Sequence, residues 1–267
     1  MLRRSLLGLI VPAAILFGAV PASAESRLAL VIGQSAYKSV PALPNPANDA
    51  RAVSQMLTDA GFAVTAASDL SQDEMRARIS DFAGQVAAKG ADTVALVFYA
   101  GHGLQIDGEN YLVPVDVDPK READIPIQAV RLNDILNTLT SVPSRMRIVV
   151  LDACRNNPMA PQVASAGPSR GIEAGSGLAA PTSLGSGSTL GAGTLIAYAT
   201  APGQVALDGE GANSPFSTAL SRHVGTPGLE VQQMLTRVRA EVVAATKGKQ
   251  VPWSNSSLLG EVYLGEQ

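Results

Sequence analysis

A histidine flanked by two glycines and the chain's single cysteine are the residues best suited to covalent chemistry in this sequence of 267 residues. His102 sits in Gly101-His102-Gly103 and Cys154 in Asp152-Ala153-Cys154, each directly after an apolar run. A thiol of ordinary pKa, about 8.5, is only a few per cent thiolate at neutral pH, and the thiolate is the nucleophile. An imidazole beside it takes the thiol proton and later returns it to a leaving amine. Gly101 and Gly103, read as a tight turn, let a substrate carbonyl approach the backbone closely. The N–H groups of Gly103 and Cys154 are the candidates for an oxyanion hole. Two plainer readings compete. A lone cysteine is often a small buried hydrophobe, and a turn histidine often makes only a local hydrogen bond.

The elements that carry the two residues bear on this choice. Thr93 to Ala100 (TVALVFYA) and Arg147 to Leu151 (RIVVL) are apolar throughout, as strands covered on both faces are. Both motifs follow the carboxyl end of such a strand, which is where open α/β sheets build their sites. Arg27–Ile32, Phe62–Ala66 and Thr194–Thr200 read as further strands. Asn45-Pro46 starts a helix with Ala50, Val53 and Leu57 on one face. Ser71 and Glu74 form a capping box before Met75, Ile79, Phe82 and Val86. A hairpin is expected to turn at Asp107-Gly108, and a short helix to span Leu132 to Leu139. Ser214-Pro215 opens a helix ending near His223, and Val231, Leu235, Val238 and Val242 mark the last helix. Strands alternating with helices predict an α/β fold with a mostly parallel sheet and helices on both faces.

Composition narrows the function classes. The net charge of -3 leaves no basic footprint for nucleic acid. There is no Walker A or Rossmann glycine fingerprint. Two histidines and one cysteine are too few for a zinc site of the usual kind. Arg3-Arg4, the uncharged run Leu6–Phe17 and Ala22-Ser23-Ala24 read as a signal peptide cleaved before Glu25, giving a secreted or periplasmic chain without a permanent membrane span. Sec and twin-arginine export both remain open. Exported proteins usually use cysteines in pairs, so a single one leaves the thiol free of any internal disulfide. From Met159 to Gly193 the chain turns to Gly, Ser, Ala and Pro, a loop far longer than a connection needs.

Cys154 follows His102 by about 50 residues, the interval described for caspases. Together Tyr99-Ala100-Gly101-His102-Gly103, Val149-Val150-Leu151-Asp152-Ala153-Cys154-Arg155 and the strand after the Gly/Ser-rich stretch resemble the caspase-like cysteine peptidases, above all the bacterial metacaspase-like group. The resemblance runs from Arg27 to about Leu264, while the Gln-Ala-Cys of animal caspases is absent. It implies a three-layer caspase-like sandwich over residues 25–267. Within it, 25–158 would correspond to a large subunit, 159–193 to the intervening loop and 194–267 to a small subunit. It further implies an endopeptidase acting on proteins or peptides with basic residues. The carboxylates that hold Arg or Lys in metacaspase-like enzymes match Asp49 and Asp152, and two carboxylates at a pocket base bind a cation by charge-assisted hydrogen bonds. Taken alone, Asp49 reads better as a first-turn helix acid, and Asp152 reads as well as a turn former. Asp208 and Glu210 fall in a loop where such relatives bind substrate. Asp116 is a site-lining or loop acid, and His223 a helix C-terminal cation. Arg170 is the expected point of self-cleavage, the alternative being an uncut insertion loop. No metal or cofactor is expected: calcium activation occurs among the relatives, but no Asp-rich calcium loop is present. The alternative is a caspase-like binding or scaffold module with little turnover. Oligomeric state is left open.

Overall fold

The computed structural model describes residues 25–154, 193–202, 204 and 206–265, with Cys154 described by its backbone alone. The expected signal peptide (1–24), residues 159–192 of the Gly/Ser-rich stretch and Arg170 lie outside the described residues.

Strand β1 (Ser26–Gly33) leads into helix α1 (Pro46–Asp59), which has proline in its first turn as expected. Strand β2 (Ala63–Ser68) and helix α2 (Gln72–Lys89) follow. The capping box at α2 is complete, since the Ser71 side chain accepts from Glu74 N and the Glu74 side chain accepts from Ser71 N. Next come β3 (Thr93–Ile106), β4 (Glu109–Leu112), α3 (Ile125–Gln128), β5 (Val130–Arg131), α4 (Leu132–Thr140) and β6 (Met146–Cys154). The chain closes with β7 (Thr194–Tyr198), α5 (Pro215–His223), α6 (Val231–Ala245) and β8 (Trp253–Ser256).

The main sheet runs β2-β1-β3-β6-β7-β8, parallel except at β8, while β4 and β5 extend β3 as an antiparallel flap. Alternation along β3 explains the layers. Leu96 and Phe98 face α1, α5 and α6 through Val53, Leu57, Phe216, Leu220 and Val238. Ala95, Val97 and Tyr99 face α2 and α4 through Ile79, Phe82, Ile135 and Leu136. Burying each of these large side chains stabilises the fold by roughly 1.5–3 kcal/mol. The result is the expected α/β three-layer sandwich.

Two packing details position the site. A small apolar cluster of Tyr37, Val40, Leu104, Tyr111, Val113 and Val115 packs the β1–α1 connection against the β3–β4 hairpin. At the end of β1, Gly33 lets α1 come close: a Cβ there would stand 2.6 Å from the Pro46 carbonyl oxygen and 2.8 Å from Ala50 Cβ. Gly33→Ala should therefore lower stability by about 1–3 kcal/mol through overpacking. Urea unfolding should show a lower midpoint at an unchanged slope. An unchanged midpoint would mean that α1 yields freely.

Candidate active site

Neighbouring parallel strands bring the two motifs to one edge. β3 and β6 pair from Val94↔Met146 to a last rung at His102↔Cys154. Neither motif is the turn its composition suggested. β3 continues through Gly101-His102-Gly103 because β4 folds back and pairs with Gly103–Ile106, giving those backbone groups partners. The reversal comes at Asp107-Gly108, where both residues have positive φ, 49° and 81°. β6 likewise runs as strand through Cys154. The Gly101 glycine serves a different purpose from the one expected. At φ 154° it makes room for two tyrosine hydroxyls, since a Cβ would sit 2.6 Å from Tyr37 Oη and 2.8 Å from Tyr99 Oη.

The His102 imidazole is buried, with Nε2 2.8 Å from the carbonyl oxygen of Pro41. A carbonyl can only accept, so this contact places the proton on Nε2 and leaves Nδ1 as the basic nitrogen. Nδ1 is buried without a hydrogen-bond partner among the described residues. Burial lowers the imidazole pKa, and the Pro41 carbonyl opposes the shift. The loop that presents Pro41 is tied down at several points. Ser35 N and Ala36 N each donate to Asp69 Oδ1 at 2.8 Å, and Lys38 N donates to the Val115 carbonyl at 2.9 Å. On the far side, the His102 carbonyl accepts from Val113 N on the β4 side. Alternation then turns the neighbouring Gly103 amide towards β6.

Two residues before Cys154, Asp152 meets the second expected acid. Asp49, in the first turn of α1, accepts from Asn213 Nδ2 and Ser214 N through Oδ1, both at 2.9 Å. Asp152 accepts from Ser214 Oγ and Ser217 Oγ at 2.5 and 2.6 Å. Asp208 joins them from the loop between β7 and α5, and its carbonyl accepts from Asn45 Nδ2 at 2.7 Å. Burial raises the pKa of all three. The Asp152 charge adds to the rise at Asp49, and the Asp208 charge raises both others, while the hydroxyl and amide donors offset part of it. Asp208 Oδ2 is buried without a partner among the described residues. α1, β6 and the β7–α5 loop thus converge as an acidic cluster beside the rung that holds Cys154.

The remaining candidates lie elsewhere. Asp116 accepts from Gln72 N at 3.0 Å and so secures the start of α2. His223 stands in the last turn of α5, as expected, and its Nε2 lies 3.0 Å from Glu241 Oε2 of α6. Glu210 is exposed. Among the described residues no group of three His, Cys, Asp or Glu side chains is arranged to hold a metal ion, and no helix is long and apolar enough to cross a membrane. Pro41, Tyr37, Ser214 and Ser217 carried no site signal in the sequence. The sequence marks Ser214 only as a helix cap, a task it also performs by accepting from Ser217 N at 2.9 Å.

Comparison with known proteins agrees with the fold. A caspase domain family model matches residues 26–263. Human mucosa-associated lymphoid tissue lymphoma translocation protein 1 is 30% identical over 133 residues, 49% of this chain and 15% of that protein. Pig caspase-1 is 27% identical over 137 residues, 50% of this chain and 32% of that protein. The chain therefore spans only a minor part of these curated relatives' length.

Proposed function

Because the chain belongs to the caspase domain family, we propose that it is a cysteine-type endopeptidase that cleaves proteins after Arg or Lys. The observation that carries this reading is the terminal β3–β6 rung, His102 opposite Cys154, with Nδ1 of the imidazole unspent. His102 Nδ1 takes the thiol proton as Cys154 Sγ attacks the scissile carbonyl carbon. Negative charge gathers on the carbonyl oxygen, where the N–H groups of Gly103 and Cys154 stabilise it. The imidazolium, held by Pro41 through Nε2–H, gives its proton to the departing amine. Water then attacks the acyl-thioester with His102 as base, freeing the acid and the thiol. Asp49, Asp152 and Asp208 hold the guanidinium or ammonium of the residue before the cut.

Peptides bearing Arg, Lys or Asp at the cleavage position test both halves of the reading. Arg and Lys peptides should be cut, the Asp peptide should not, and Cys154→Ala should abolish turnover. Activity surviving Cys154→Ala would refute the thiol mechanism, and a preference for Asp would refute the acidic pocket. Running the assay with calcium and with EDTA separates the dyad, which needs no metal, from any calcium-dependent activation. Export and processing belong to the same proposal. Mass spectrometry of the mature chain should find Glu25 at its start, and Arg170→Ala should prevent its division into two fragments.

A further inference from the structure

We propose that Tyr37 and Tyr99 are positioning residues for the His102 base, a two-hydroxyl clamp that Gly101 exists to admit. The proposal rests on the dyad reading and adds what holds its histidine in place. β1 ends at Gly33, level with Ala100, so beyond that point β3 has lost its parallel neighbour on this side. Gln34 N still reaches the Ala100 carbonyl, but the His102 amide projects past β1. A buried amide without an acceptor is costly. The Tyr37 hydroxyl supplies that acceptor, 2.7 Å from His102 N. The Tyr99 hydroxyl donates to the His102 carbonyl at 2.7 Å and accepts from Val113 N at 3.2 Å. The two hydroxyl oxygens lie 3.5 Å apart.

Tyr37 also acts on the imidazole. Its ring packs against that of His102, centroids 4.5 Å apart and planes at 48°. Four residues further along the same loop, Pro41 holds Nε2. One loop therefore fixes the histidine at its backbone, ring face and Nε2, and its placement decides where Nδ1 points. All three rings are more than nine-tenths buried, so no water readily replaces a lost hydroxyl. A tyrosine four residues before Pro41 and another three before His102 meet at the one position where any side chain would collide with them.

Tyr37→Phe keeps the ring and removes only the hydroxyl. It should lower kcat about tenfold, the effect of one buried donor left unsatisfied, with KM unchanged. Rates are taken per active site, titrated with a thiol-alkylating label, so a smaller folded fraction does not count. The chain has two histidines, so nitrogen-15 spectra of the imidazoles are assigned with a His223→Gln variant. The parent protein should show His102 as the Nε2–H tautomer, and Tyr37→Phe should introduce the Nδ1–H form or exchange broadening. Tyr99→Phe should act in the same direction, and Tyr263→Phe, at a surface hydroxyl bonded to Glu261, should change nothing. Unaltered kcat and tautomer in both Tyr37→Phe and Tyr99→Phe would overturn the clamp. A parent protein that cleaves no peptide would sink the dyad reading instead, and the tautomer spectra would still decide whether the tyrosines orient His102.

Discussion

His102→Ala is expected to lower kcat about 100- to 10,000-fold, the usual range for loss of a general base, while leaving KM for an Arg peptide almost unchanged. The imidazole's described partner is the Pro41 carbonyl and no acid of the cluster acts on it, so its removal should affect the chemical step rather than substrate binding. The pH profile gives a sharper test. Burial holds the imidazole pKa below its ordinary value, so the ring is neutral, and competent as a base, at neutral pH. Protonation at low pH blocks it, and the acid limb of the parent profile should therefore fall below about 6.5, the unperturbed histidine value. In His102→Ala that limb should vanish. The residual rate should instead climb with alkali as the thiolate fraction grows. An acid limb that persists in His102→Ala would assign it to another group and remove His102 from the mechanism.

How much of this was legible in the sequence depended on how local each signal was. The α2 capping box and the Asp107-Gly108 reversal were readable because residue type at a fixed offset determines the bond or the backbone angle. The layers were readable because apolar runs and helical spacing record burial on each face. The β8 strand (Trp253–Ser256) was not expected. Its sequence, WSNS, shows no apolar alternation, and its partner is β7, more than fifty residues earlier. Pro41 contributes a backbone carbonyl, which any residue could offer, so no side-chain type marked it. Gly-His-Gly suggests a turn because glycines usually mark turns, yet it lies within β3. The reason for Gly101 lies in Tyr37, distant in sequence and adjacent in space. Asp49 and Asp152 were named only through family resemblance. The donors that hold them, Asn213, Ser214 and Ser217, come from a segment that folding brings back across the sheet.

Asp152→Asn is expected to raise stability at pH 8 and to cost about 100-fold or more in kcat/KM for Arg peptides, as loss of one partner of a buried charge pair does. Both effects have one cause. Burial raises Asp49 to about 7 and Asp152 to about 6, well above the ordinary carboxylate value. A carboxylate whose folded pKa is raised favours folding while it is protonated. That contribution is complete below the unfolded value of about 3.9 and is lost as pH climbs through the folded values. These buried carboxylates thus weaken the fold at neutral pH by holding charge that burial disfavours. Asparagine keeps an oxygen for the Ser214 and Ser217 hydroxyls but carries no charge. The variant should match the parent's melting temperature near pH 4 and exceed it at pH 8. An amidinium ligand such as benzamidine supplies the missing counter-charge, so it should raise the parent's melting temperature more at pH 8 than at pH 5.5, and Asp152→Asn should lose most of this gain. If Asp152→Asn keeps its preference for Arg, the pocket assignment fails. If it melts below the parent at pH 8, Asp152 serves as an anchor for α5, and its charge is not held there for a substrate.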